Sequence, residues 1–225
     1  TGRTQKQNTL FLNSSKSEEK MPMATKEAMS GEQMKRYRTQ ILLQGIGEEG
    51  QLKLLHSRVL LVGAGGLGSP SALYLAAAGI GALGIVDFDR VDLSNIHRQI
   101  LHGTGDVGRP KTESAMATLL RANPDMAVTA HQERFTPANA LSLVDEYDVV
   151  VDGADNFETK FLLNDAAYFA GKPYVFGGAV GFDGQASLFF PKGGGPCLRC
   201  MIPEIPPPGT VPPCDEVGVL NVVPG

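Results

Sequence analysis

The chain has 225 residues, 42% of them apolar and 20% charged, with a formal net charge of −4. That length suits one large domain or two small ones, with enough apolar residues to bury a sizeable core. The mild charge argues against a nucleic-acid partner, no apolar stretch reaches the roughly 18 residues of a membrane span, and three cysteines do not make a secreted disulfide framework, so a reducing cytoplasm is the expected setting.

Residues 1–30 are polar and poor in aromatics. Leu10-Phe11-Leu12 is too short for a signal-peptide core, and Glu18 and Glu19 argue against a transit peptide. This stretch is expected to be a disordered tail or a cloning remnant, with one domain over 31–225. Over 30–56 the pattern is helical: Met34, Tyr37, Ile41 and Leu42 can share a face, Gly45 and Gly47 break it, and Leu52, Leu54 and Leu55 resume it.

The stretch Val59-Leu60-Leu61-Val62-Gly63-Ala64-Gly65-Gly66-Leu67-Gly68 organises the rest. An apolar strand turns through glycines into a helical pattern, and Gly63, Gly65 and Gly68 fit G-x-G-x-x-G. In that motif the first glycine permits a tight turn, the second lets backbone N–H groups approach a phosphate, and the third lets the helix pack on the strand. The helix then offers its positive end to the anion. Ile85-Val86-Asp87 ends a second buried strand with an acid in reach of a ribose hydroxyl. The loop after it, 88–99, carries two carboxylates beyond Asp87, two amides and two arginines. Pro110-Lys111 opens a helix with Ala115, Leu119 and Leu120 on one face, stopping near Asn123-Pro124. Lys111 then opposes the helix dipole unless an anion lies beside it.

A short strand is expected over 127–130, a short helix over 137–144, and a buried strand over 147–152 that runs into Gly153-Ala154-Asp155-Asn156. An amphipathic helix follows over 158–170, capped by Gly171. A strand over 173–176, a glycine-rich turn and an antiparallel return over 185–190 complete the order. The implied fold is α/β, with a doubly wound, mainly parallel sheet, a Rossmann-like nucleotide site and a Pro/Cys-rich C-terminal crossover segment from 191 onward.

Asp87, Asp155, Lys111, Arg98 and Asn95 all fall at strand ends around the glycine turn, where open α/β sheets bind ligands. The set is rich in anion receptors, includes a possible metal ligand and lacks a Ser/His/Asp arrangement; His97 is the only histidine in the cluster. Nucleotidyl transfer to a carboxylate fits it. A carboxylate nucleophile needs no general base at neutral pH. The remaining work is to hold acceptor and α-phosphate in line and to neutralise charge with Mg²⁺, Arg and Lys.

Taken together, Arg36-Tyr37…Gln40, the glycine turn, Asp87-Phe88-Asp89, Ser94-Asn95-Ile96-His97-Arg98-Gln99, Gly108-Arg109-Pro110-Lys111, Asp155-Asn156 and Cys197-Leu198-Arg199-Cys200 resemble the MoeB/ThiF family over residues 33–225. These are ubiquitin-activating-enzyme-like adenylyltransferases of sulfur-carrier proteins. The glycine fingerprint alone is unspecific; the Ser-Asn-x-x-Arg-Gln block with the Asp-Asn pair makes the match specific. The resemblance implies an ATP site built on Gly63, Gly65, Gly66 and Gly68, with Asp87 on the ribose and Asp89 close by. Asn95, Arg98 and Lys111 would contact the triphosphate with Ser94 in the same loop, and Asp155 would hold Mg²⁺ with Asn156 beside it. Family members adenylate the C-terminal Gly-Gly carboxylate of a small ubiquitin-like carrier of the MoaD/ThiS type. They release pyrophosphate and leave an acyl-adenylate for sulfur transfer in molybdopterin, thiamine or tRNA-thiolation pathways. They are homodimers with a structural Zn²⁺.

Two departures stand out. Thr39 occupies the place of a family arginine that reaches the nucleotide of the partner subunit, and Arg38 is one residue away, about 100° around a helix. Of two Cys-x-x-Cys pairs that would bind Zn²⁺, only Cys197 and Cys200 are present, so 31–225 is expected to be a ThiF-like domain lacking its C-terminal end. Cys214 is a third thiolate by composition; by resemblance it matches a cysteine that forms a sulfur-linked or thioester intermediate, and so joins Arg98, Lys111 and Asp155 as a catalytic candidate. The alternatives are an ATP- or carrier-binding protein without turnover and, on the glycine fingerprint alone, an NAD-dependent oxidoreductase.

Overall fold

The computed structural model describes residues 28–207, 210 and 214–225, without the side chains of Cys214 and Asp215. The expected disordered tail therefore lies almost wholly outside the described residues. The elements run α1 (Gly31–Arg36), α2 (Arg38–Ile41), α3 (Gly47–His56), β1 (Arg58–Val62), α4 (Gly68–Ala78), β2 (Ala82–Val86), α5 (Lys111–Ala122), β3 (Ala127–His131), α6 (Ala140–Asp145), β4 (Val149–Asp152), α7 (Phe157–Ala170), β5 (Tyr174–Val180), β6 (Asp183–Phe189), α8 (Leu198–Met201) and α9 (Cys214–Val217).

The strands form one sheet in the order β3-β2-β1-β4-β5-β6, parallel except for β6. Because side chains alternate along a strand, β1 feeds both faces. Leu60 and Val62 join a core with Val144 of α6 and Phe161 and Ala166 of α7. Val59 and Leu61 join another with Ala72 and Ala76 of α4 and Ala115 and Leu119 of α5. This is the doubly wound α/β fold expected from the alternation of strands and helices. Its strand order reverses between β1 and β4, so the two diverging crossovers leave a crevice at the carboxyl ends of those strands.

The N-terminal region departs from a single helical face. Tyr37 is 2% exposed, its ring against Gly79 and its hydroxyl accepting from Asn123, whereas Leu42 is 73% exposed. The chain re-aims at Tyr37, between α1 and α2, so periodicity carried across that joint misassigns Leu42. Leu120 likewise points outward from α5 while Ala115 and Leu119 are buried. The glycine-rich turn expected after Phe176 is strand: Gly177 and Gly178 pair with Ala186 and Gln185, and the hairpin turns at Gly181-Phe182.

Candidate active site

The crevice is floored by glycines that cross at contact distance. Gly63 has φ +97, and a Cβ on it would overlap the Gly153 carbonyl at the end of β4. A Cβ on Gly68 or on Gly153 would overlap the Gly63 carbonyl. The turn after β1, the first residue of α4 and the loop carrying Asp155 therefore pack backbone to backbone. Among the described residues the N–H groups of Gly65 and Gly66 have no backbone partner, and they precede an 11-residue helix. Free amides at a helix start make an anion receptor.

Asp87, at the end of β2, is buried and accepts from the N–H of Ala64 at 2.8 Å and of Asp89 at 2.8 Å. Its first task is thus to hold the glycine turn, which the sequence assignment to a ribose did not include. Lys111 is buried at the first residue of α5, and its ammonium lies 3.0 Å from the Asp89 carboxylate. That carboxylate is the anion that lets a cation sit at a helix N-terminus. The Arg98 side chain passes over the turn: its Cδ is 3.5 Å from where a Gly66 Cβ would lie, and its Nη1 is 3.0 Å from His97 Nε2. Pro224 flanks the same glycine from the C-terminal segment.

Other candidates hold themselves in place. Both the hydroxyl and the N–H of Ser94 donate to Asp92, holding that carboxyl below its ordinary range. The Asn95 carbonyl accepts from the N–H of Arg98 and of Gln99, which fixes the loop. Asn156 caps α7 through the Thr159 N–H and donates at 3.2 Å to Asp155 Oδ1, leaving the exposed Asp155 carboxylate with one oxygen free. Asp155 joins the turn through the Gly153–Gly63 packing. Cys197, which precedes α8, and Cys200, on it, have sulfurs 3.7 Å apart; hydrogen bonding with the Cys197 backbone and thiol holds the Cys200 thiol below its ordinary value. No group of three or more His, Cys, Asp or Glu suited to a metal is found among the described residues, and the Cys214 side chain lies outside them.

Two buried polar groups at this end of the sheet escaped sequence reasoning. His102, not His97, touches the glycine turn: its Nε2 lies 3.0 Å from the Ala64 carbonyl and its Nδ1 2.9 Å from Ser114 Oγ. Asp152, at the end of β4, bonds the Lys160 ammonium at 3.0 Å, the Tyr174 hydroxyl at 2.8 Å and the Ala154 N–H at 2.9 Å. Burial pushes the Asp152 carboxyl and the Tyr174 hydroxyl up. The sequence signals for this cluster were an acid closing a buried strand and a lysine in the first turn of an amphipathic helix.

Several known proteins are similar to this chain. The probable adenylyltransferase/sulfurtransferase MoeZ of Mycobacterium tuberculosis is 50% identical over 199 residues, covering 87% of this chain and 51% of that protein. The sulfur carrier protein adenylyltransferase of Thermus thermophilus is 49% identical over 197 residues, 86% of this chain and 73% of its own length. The crystal structure of PaaA superposes with a TM-score of 0.67 at 28% identity, over 77% of this chain and 56% of that one. The chain thus spans about half the length of MoeZ. The ThiF family model matches residues 37–225, from the buried Tyr37 through the glycine crossing to the segment that flanks Gly66, and the chain belongs to the ThiF family.

Proposed function

We propose that residues 31–225 form an ATP-dependent adenylylating domain acting on the C-terminal carboxylate of a ubiquitin-like sulfur-carrier protein. The observation that carries this reading is the glycine turn: two N–H groups at a helix start, unpartnered among the described residues, with the Arg98 side chain laid over Gly66. An ATP phosphate bound there is met by oriented dipoles and a guanidinium on a half-buried turn, where each charge-assisted contact contributes about 1.5–3 kcal/mol. The carrier's terminal carboxylate attacks the α-phosphorus, the bond to the bridging oxygen breaks, and pyrophosphate leaves. Lys111, buried and 3.0 Å from the Asp89 carboxylate, is the cation assigned to that path.

Asp155 fits Mg²⁺, which takes one or two carboxylates and keeps waters and phosphate oxygens for its other positions. When bound, the ion neutralises charge on the triphosphate and its leaving group. Cys197 and Cys200 fit half of a zinc site, since a tetrahedron with Zn–S bonds of about 2.3 Å has an edge of about 3.8 Å. A homodimer is supported by the sheet. Parallel strands are normally covered on both faces, yet beside α3 and α4 an apolar hollow of about 680 Å³, lined by Leu54, Val59, Tyr74, Val151 and Val175, is left open among the described residues. No helix among the described residues is long and apolar enough to cross a membrane.

ATP–pyrophosphate exchange with purified carriers of the molybdopterin, thiamine and tRNA-thiolation types tests the reading and selects among them. Carrier-dependent exchange is the expected outcome. ATP binding without exchange by any carrier would leave a binding protein, the reading that Thr39 favours.

A further inference from the structure

The Ala64–Gly65 peptide is gripped from inside the protein. Its carbonyl faces His102 Nε2 at 3.0 Å, and His102 is 4% exposed. A carbonyl only accepts, so Nε2 carries the hydrogen; Nδ1 lies 2.9 Å from Ser114 Oγ, which also bonds the Asp106 carboxylate. Burial, followed by the nearby Lys111, disfavours the charged ring; the bond to Ala64 and the more distant Asp87 and Asp106 oppose that without overcoming it. The ring is pushed toward its neutral form, and Nε2 carries the hydrogen that the Ala64 carbonyl accepts. The preceding peptide is held as well, by Asp87 on the Ala64 N–H.

A trans peptide is planar, with its C=O and N–H pointing opposite ways. Tethering the Ala64 oxygen inward to His102 therefore turns the Gly65 N–H the other way, away from that buried ring. Gly65 has the backbone freedom to swing that amide away, and nothing else among the described residues holds the 64–65 carbonyl. We propose that His102 is a positioning residue that aims the Gly65 amide at the triphosphate. The proposal rests on the ATP-site reading above. It makes His102 a determinant of nucleotide affinity rather than of the transfer step, because the amide is as well placed for bound ATP as for the transition state.

The test compares wild type, His102→Leu and His102→Gln for ATP binding by calorimetry and for ATP–pyrophosphate exchange. His102→Leu should raise the ATP Kd and KM roughly tenfold, the loss of about one net hydrogen bond, with kcat nearly unchanged. His102→Gln, which keeps a side-chain N–H donor, should recover a large part of that loss. Unchanged ATP affinity in His102→Leu, or a fall in kcat alone, overturns the proposal. Wild type that binds no ATP would instead sink the site reading itself, and the proposal with it. Nitrogen-15 spectra of the wild-type imidazole supply a readout independent of any variant's folding. The Nε2–H tautomer, shifting on ATP addition, is expected; an Nδ1–H tautomer, or a signal indifferent to ATP, counts against it.

Discussion

Lys160 carries its charge in the core because every hydrogen on its ammonium has somewhere to go. It donates to Asp152 at 3.0 Å and to the Gly177 carbonyl at 2.6 Å, and it lies 5.1 Å from the centre of the Phe176 ring. Removing one side of such a pair leaves the other charge buried alone, which costs about 3–5 kcal/mol. Lys160→Met is expected to lower the denaturant-derived stability by that amount. The carboxyl is already pushed up by burial, and Lys160 is the first of the groups opposing that. Adding Asp152→Leu should restore part of the loss, since no isolated charge then remains. His102 gives a second signature, in pH. Its folded pKa is depressed by burial, so between the unfolded value near 6.5 and the lower native one the unfolded chain binds a proton that the native chain refuses. Stability is therefore constant in this respect above pH about 6.5 and falls on acidification below it, by at most about 1.4 kcal/mol per pH unit from this group. The carboxylates of Asp106 and Asp148 are held below their ordinary range by bonds from Gly103 and Arg58, so they act at lower pH. Urea unfolding at pH 7.5, 6.5 and 5.5 should show the slope in wild type and a shallower one in His102→Gln.

At the level of elements the site depends on a crossing of two turns, one of which was plain in the sequence. Gly63, Gly65 and Gly68 announce themselves by spacing within six residues, as does the Pro110-Lys111 helix start. Their partner Gly153 lies ninety residues on, and nothing local distinguishes it from a loop glycine. The same holds for Asp152, Lys160 and Tyr174, joined only when β4, α7 and β5 pack, and for His102, five residues past the better-placed His97 in the motif. Period and spacing report what one element does with its own neighbours. They are silent on which side chains meet across elements, and that is why both buried clusters were missed while the strand order's consequences were anticipated. The crossing itself is testable. Gly153→Ala inserts a methyl against the Gly63 carbonyl and the Gly68 Cα, with backbone on every side and nothing free to move. We expect a loss of about 3 kcal/mol or more, with ATP binding lost alongside. Gly105→Ala, where a Cβ meets nothing within 4 Å, should change stability by less than about 0.5 kcal/mol. Thermal melts and ATP titration of the two variants make the comparison.

For the whole molecule the informative residue is Thr39. Its neighbour Gln40 bonds the carbonyl of Ala78, the last residue of α4, and Gln51 of α3 bonds the same oxygen. The glycine turn opens the other end of that 11-residue helix, about 15 Å away. A side chain at 38 or 39 is thus anchored at the wrong end of α4 to serve the crevice of its own chain. In the homodimer proposed above, an arginine at this position would serve the crevice of the second copy, so the effect of Thr39→Arg depends on assembly. The variant is expected to raise the exchange rate about tenfold or more, a conservative share of what an arginine supplied in trans contributes to phosphoryl transfer. Arg38→Ala separates this from a compensating Arg38: an unchanged rate means that the adjacent arginine does not substitute for the missing one. Mixing then decides between the geometries. A chain carrying Thr39→Arg together with Lys111→Ala has a disabled crevice of its own, yet in a mixed dimer it presents its arginine to an intact one. Added to wild type, it should raise exchange per wild-type site. If it does not, while Thr39→Arg alone does, the arginine works within its own chain and the 15 Å separation along α4 has been misjudged as a barrier.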